Sequence, residues 1–176
     1  MPRRHIQLQV FPAHRTVAPL TWLRKVTTSA LETADPSGQK GANVVIADDT
    51  TLHDLNHRFR GLDQVTDVLS FGDISAEAVA ADGSGGTDEP APEFPKPPAK
   101  EAIWGEVIIS CPQAERQAGE HGWDVEHELA LLVVHGVLHL VGYDHAEPED
   151  EALMKGLEEQ ALARFFSATP GLPNER

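Results

Sequence analysis

The sequence predicts one domain that combines β-strands with α-helices. Three observations carry this. The chain has 176 residues and 19.1 kDa, which suits a single domain over residues 1–167 with a frayed tail at 168–176. Hydrophobic residues make up 40%, enough for a core. Four short apolar or alternating segments are interspersed with five segments of helical periodicity.

Ile6, Leu8 and Val10 alternate with Gln7 and Gln9, the period of a half-buried strand. Between Val17 and Ala34, Val17, Leu20, Leu23, Val26, Ala30 and Leu31 recur at helical spacing, and Asp35-Pro36-Ser37-Gly38 supplies a turn that ends the helix. Asn43 to Ala47 is a short continuous apolar run and reads as a buried strand. Asp48-Asp49-Thr50 can cap a short helix carrying Leu52, Leu55 and Phe59. Val65 to Phe71 reads as a third strand and Ile103 to Ser110 as a fourth. Pro112 to Gly119 suits a short helix, and Val125 to Val141 is a strongly apolar one. Glu147 to Phe166 is a final helix, with Pro148 and four carboxylates in its first turn, where they favour the positive end of the helix dipole. Its apolar face is expected at Leu153, Leu157, Ala161, Leu162 and Phe165.

Residues 76–100 differ in kind. They hold 5 Pro, 3 Gly and 6 Ala but a single aromatic, Phe94. Such a segment buries too little apolar surface to offset its ordering entropy. It reads as a flexible acidic insertion within one domain.

Composition excludes several classes. No apolar run reaches the length of a membrane span, and Cys111 is the sole cysteine, so no intrachain disulfide staples the fold. The basic N-terminus is not followed by an unbroken apolar stretch, so a cytoplasmic protein is expected. The net charge of −14 argues against coating nucleic acid through bulk charge. That charge is uneven: residues 1–72 carry a net +1 and residues 104–176 a net −10. A phosphate-bearing partner is therefore expected to touch the N-terminal half.

The chemistry concentrates in His135-Gly136-Val137-Leu138-His139-Leu140-Val141-Gly142-Tyr143-Asp144-His145. Histidines at i and i+4 lie one helical turn apart and can chelate one ion. Gly142 can end the helix in a left-handed conformation and let the chain bring His145 back to the same ion. Three imidazoles with a fourth position open is the pattern of a catalytic zinc site, one ion per chain. Imidazole also suits other first-row metals. Asp144 is either a group that orients an imidazole or a solvated turn residue. The spacing equals that of the metzincin peptidases, whose general-base glutamate corresponds here to Gly136. A peptidase would need its base from elsewhere, and Glu128, two turns before His135, is a possible source.

The same stretch resembles the signature H-G-x-L-H-L-x-G-Y-D-H of the YbeY family of bacterial rRNA maturation factors and single-strand endoribonucleases. Leu55-Asn56-His57-Arg58-Phe59-Arg60, followed by Thr66-Asp67-Val68-Leu69-Ser70-Phe71, is similar to that family's L-N-x-x-x-R and T-D-V-L-S-F segments. Gly105 to Ser110 resembles its G-D-I-x-I-S strand, with Glu106 replacing the usual Asp. The insertion at 76–100 is a departure, since the family's connection there is commonly short.

The resemblance implies an α+β fold: a small mixed four-stranded sheet packed by about five helices, with zinc on His135, His139 and His145 at the end of a core helix. It also implies a functional arginine at Arg60. A guanidinium matches the charge that develops on a cleaving phosphodiester, so Arg60 makes sense as a catalytic, RNA-binding phosphate clamp. Arg58 is the second candidate for positioning RNA. Zinc with an open position lowers the pKa of a bound water towards ~7 and polarises a phosphoryl oxygen. The expected function is a zinc-dependent, single-strand-specific endoribonuclease acting at the small-subunit rRNA 3′ end and in ribosome quality control. Its partners would be rRNA and the small subunit or a ribosomal protein, with neither membrane nor DNA. The alternatives are a non-catalytic zinc-stabilised ribosome assembly factor and a metallopeptidase.

Overall fold

A computed structural model describes residues 4–72 and 102–167. The expected insertion at 76–100 and the expected tail at 168–176 lie outside the described residues. The strands are β1 (Ile6–Val10), β2 (Gly41–Ala47), β3 (Val68–Gly72) and β4 (Ile103–Ser110). The helices are α1 (Leu20–Ala34), α2 (Asp49–Arg60), α3 (Cys111–His121), α4 (Val125–Val141) and α5 (Pro148–Leu162), with a 3-10 turn at Pro12–His14. The fold is α+β, as expected, and its sheet is mixed.

Among the boundaries that differ from the periodicity, three have clear local reasons. The first helix starts at Leu20 and not at Val17, because Pro19 sits at its N-cap in an extended conformation. Proline also biases the residue before it away from the helical region. The third strand starts at Val68 and not at Val65, since the Asp67 carboxylate accepts the Val68 N–H (2.8 Å) and holds the chain in a bend. The last helix stops at Leu162, whose carbonyl accepts the N–H groups of both Phe165 and Phe166. Its apolar face also differs: Leu153 is 54% exposed, while Met154, Glu158, Ala161 and Leu162 are buried. The buried positions follow the i, i+4, i+7, i+8 pattern, and Leu153 falls outside that stripe.

The sheet order is β1-β2-β4-β3, with β1, β2 and β4 parallel and β3 antiparallel to β4. Alternation divides its two faces. Val44, Ile46, Val107 and Ile109 join the main core with residues of α1, α4 and α5. Ala47, Ile108 and Leu69 point the other way, against Leu52 of α2. In the main core Leu129 to Val134 of α4 are all buried, which explains why that helix is apolar all round. The serines of the two strand motifs, Ser70 and Ser110, each join neighbouring elements. Ser110 caps α3 by accepting the Gln113 N–H, and it donates to Asp49 Oδ1 (2.7 Å). Ser70 donates to the Gly136 carbonyl (3.2 Å) and so ties β3 to α4.

Candidate metal centre

The central helix α4 carries His135 and His139 near its C-terminal end. It ends as the glycine predicts: Gly142 adopts φ 112°, and its N–H reaches the carbonyls of Leu138 and His139. The Tyr143 N–H bonds to the Leu138 carbonyl (3.0 Å), completing a left-handed cap. The reversal brings His145 back beside the helix. The ring centroids of His135, His139 and His145 lie 4.6, 5.9 and 5.2 Å apart. One ligand atom from each falls within 4.8 Å of the others.

This cluster fits a metal ion. The Nε2 atoms of His135 and His139 face each other at 3.1 Å. Two nitrogens bound to one tetrahedral zinc at ~2.0–2.1 Å would be about 3.3 Å apart. Burial, and then the neighbouring His135 and His145, hold His139 below the ordinary histidine value, so it presents a neutral ring. Neutral imidazole is the form that ligates a metal. His145 is the exposed member, on the turn after the cap.

The outer nitrogen of His135 has a partner that the sequence pattern did not reveal. Its Nδ1 lies 2.7 Å from Oε1 of Glu158 on α5. Glu158 falls 23 residues away, on a helix whose apolar residues dominate its reading. Its one signal is a carboxylate in phase with the buried stripe. Asp144 has a different place: its carboxylate accepts the His145 backbone N–H (2.7 Å) and lies 3.9 Å from His145 Nδ1. Glu128 is directed away from the cluster, since its buried carboxylate accepts from Trp123 Nε1 (2.7 Å) and pairs with His121 Nδ1 (3.0 Å).

Gly136 has a steric reason. A β-carbon there would lie 2.5 Å from Val107 Cγ1 and 3.2 Å from Ser70 Oγ. The helix crosses the sheet too closely for any side chain, so no carboxylate base fits at this position.

A cleft of about 530 Å³ opens beside the histidines, lined by all three together with Arg60, Thr66, Asp67 and Ser70 among others. Arg60 arrives there because α2 ends at Gly61 (φ 69°). Asn56, buried on the same helix, donates to the Gln64 carbonyl (2.9 Å) and holds the following loop. The Asp67 carbonyl accepts the Ser110 N–H (2.9 Å), which fixes the other end of that loop to β4. Arg58 is not among the cleft residues; its guanidinium lies 5.5 Å from the Phe59 ring.

The profile of the family described as Endoribonuclease YbeY matches residues 13–166. A protein named Endoribonuclease YbeY from Dehalococcoides mccartyi (strain CBDB1) is 40% identical over 164 residues, covering 90% of this chain and 93% of its own. One of the same name from Roseiflexus castenholzii is 37% identical, covering 94% and 96%. In fold, the solution structure of a Thermotoga maritima protein superposes with a TM-score of 0.56 at 23% identity, covering 96% of this chain and 100% of that one. The histidine turn, the Leu55–Arg60 helix end and the Thr66–Phe71 segment thus lie inside one match. The chain belongs to the Endoribonuclease YbeY family.

Proposed function

We propose that this protein is a zinc-dependent endoribonuclease that cuts single-stranded RNA. The observation that carries this reading is the cleft that Arg60 shares with His135, His139 and His145. It joins a three-imidazole ligand set to a guanidinium, the pairing that phosphodiester cleavage asks for. A metal on the three histidines would supply Lewis-acid stabilisation of the scissile phosphate. Arg60 would hold a non-bridging phosphate oxygen through parallel N–H bonds and offset the charge that develops there. Arg58, the residue before Phe59, would bind the RNA backbone outside the cleft as a second cation. Phosphodiester chemistry is favoured over peptide hydrolysis because Gly136 has no room for a base and Glu128 is engaged elsewhere.

The setting proposed is maturation of the small-subunit rRNA 3′ end and ribosome quality control in the cytoplasm. No helix among the described residues is long and apolar enough to cross a membrane. With a net charge of −14, intrinsic RNA affinity should be modest and strongly weakened by salt. Docking on the small subunit or a ribosomal protein would supply the rest, and co-sedimentation with small subunits tests it.

The deciding experiment is cleavage of a labelled single-stranded rRNA fragment by wild type and by folded His139→Ala. Cutting by wild type alone supports the nuclease. Equal cutting by both overturns it. Cutting by neither, while both join the small subunit, favours the assembly-factor alternative.

A further inference from the structure

Glu158 occupies an unusual position for a carboxylate. It is 6% exposed, on α5, with its Oε1 2.7 Å from His135 Nδ1. Burying a carboxylate costs free energy unless a strong donor meets it. The donor here is a metal-centre ring. A proton held on Nδ1 by Glu158 leaves the Nε2 lone pair of His135 free, and that nitrogen faces His139 Nε2 at 3.1 Å. The outer face of the ring is fixed and the inner face is ready to ligate.

The helix carrying Glu158 contributes no ligand, yet it is firmly seated. Ser29 Oγ donates to the Ala161 carbonyl (3.0 Å), Arg164 pairs with Glu32 (2.6 Å), and Met154, Ala161 and Leu162 enter the main core. The position of Glu158 is therefore set by the docking of α5 on α1.

We propose that Glu158 is a positioning residue of the metal centre: it locks His135 as the Nδ1–H tautomer and couples metal affinity to the docking of α5. This rests on the reading that the three histidines bind a metal. Coupling is reciprocal, so metal binding tightens the seat of α5 by the same factor.

The test uses the full chain, stripped with a chelator, as wild type, Glu158→Leu and Glu158→Gln. Zinc affinity is measured by competition with a chromophoric chelator, well below the melting temperature of each variant. The leucine variant should bind zinc about 10–100-fold more weakly, and the glutamine variant, which keeps a neutral acceptor, should lose less. Nitrogen NMR of the metal-free wild type should show His135 protonated at Nδ1, and the leucine variant should lose that preference. A purely structural role would lower the metal-free melting temperature and leave both readouts unmoved. Zinc affinity within twofold of wild type in both folded variants overturns the inference and leaves the metal centre standing. A wild type that binds no zinc overturns the metal centre itself. If the leucine variant does not fold, the glutamine variant alone decides, because its affinity and tautomer remain measurable.

Discussion

A β-carbon on Gly136 would lie 2.5 Å from Val107 Cγ1, so α4 and β4 approach each other more closely there than any side chain permits. Gly136 directly follows His135, and the Ser70 hydroxyl of the neighbouring strand donates to the Gly136 carbonyl. Gly136→Ala should therefore destabilise the fold by about 1–3 kcal/mol, the range of overpacking in a close-packed core. Urea unfolding of the two proteins checks it. Gly136→Glu should unfold the protein or displace the helix, and no peptidase activity should appear.

Removing Arg60 should impair turnover far more than stability, because its side chain is exposed in the cleft. Arg60→Ala should lower the cleavage rate about 10²-fold or more, the cost of losing one preorganised donor to a developing charge. Arg60→Lys should recover little, since an ammonium lacks the paired N–H geometry. Single-turnover cleavage with unchanged melting temperatures is the expected result.

Metal binding should appear in the thermal stability. Zinc at a hundred times its Kd should add about 2.7 kcal/mol to wild type and raise the melting temperature. His139→Ala removes one of the three rings, and its melting should no longer respond to zinc. Calorimetry with and without zinc measures both.

His127 predicts a pH dependence remote from the metal centre. The residue is 5% exposed, its ring is stacked between Trp123 at 4.5 Å and Phe166 at 4.3 Å, and its Nε2 has no hydrogen-bond partner among the described residues. Burial pushes its pKa below the ordinary value, against the opposing pull of Glu128 and Asp124. The unfolded chain then takes up this proton before the folded one does. The contribution is complete above an unfolded pKa of about 6.5 and is lost as pH falls through the lower folded value. Acidification should therefore cost wild type more stability than His127→Phe. Melting temperatures of both proteins from neutral to mildly acidic pH give that difference.

Glu128 should prove structural. Its carboxylate meets the half-buried Trp123 Nε1 and His121 Nδ1, so Glu128→Ala should cost about 1 kcal/mol for each hydrogen bond lost. Zinc affinity of the folded variant should be unchanged, and a large loss would place this residue in the metal centre after all.

The local part of this molecule was legible because its signals are short-range. The i, i+4 histidines, the breaker Gly142 and the alternation of Ile6 to Val10 are each set within a turn or a strand by backbone geometry. The order of strands and helices followed from the same periodicities, and the α+β class from the family resemblance. The boundaries at Val17, Val65 and Phe166 were not legible, since a proline cap, an aspartate bend and a carbonyl shared by two amides decided them.

What the sequence alone determined is the chemistry available: three imidazoles able to meet, a glycine that turns the chain, and a glycine where a peptidase would need its base. The tertiary structure decided which distant groups join them. It inserted β4 between β2 and β3, set Arg60 in the histidines' cleft and docked α5 so that Glu158 meets His135. These contacts depend on sheet order and helix packing, which arise from burying apolar faces shared across the whole chain, and no local spacing encodes them.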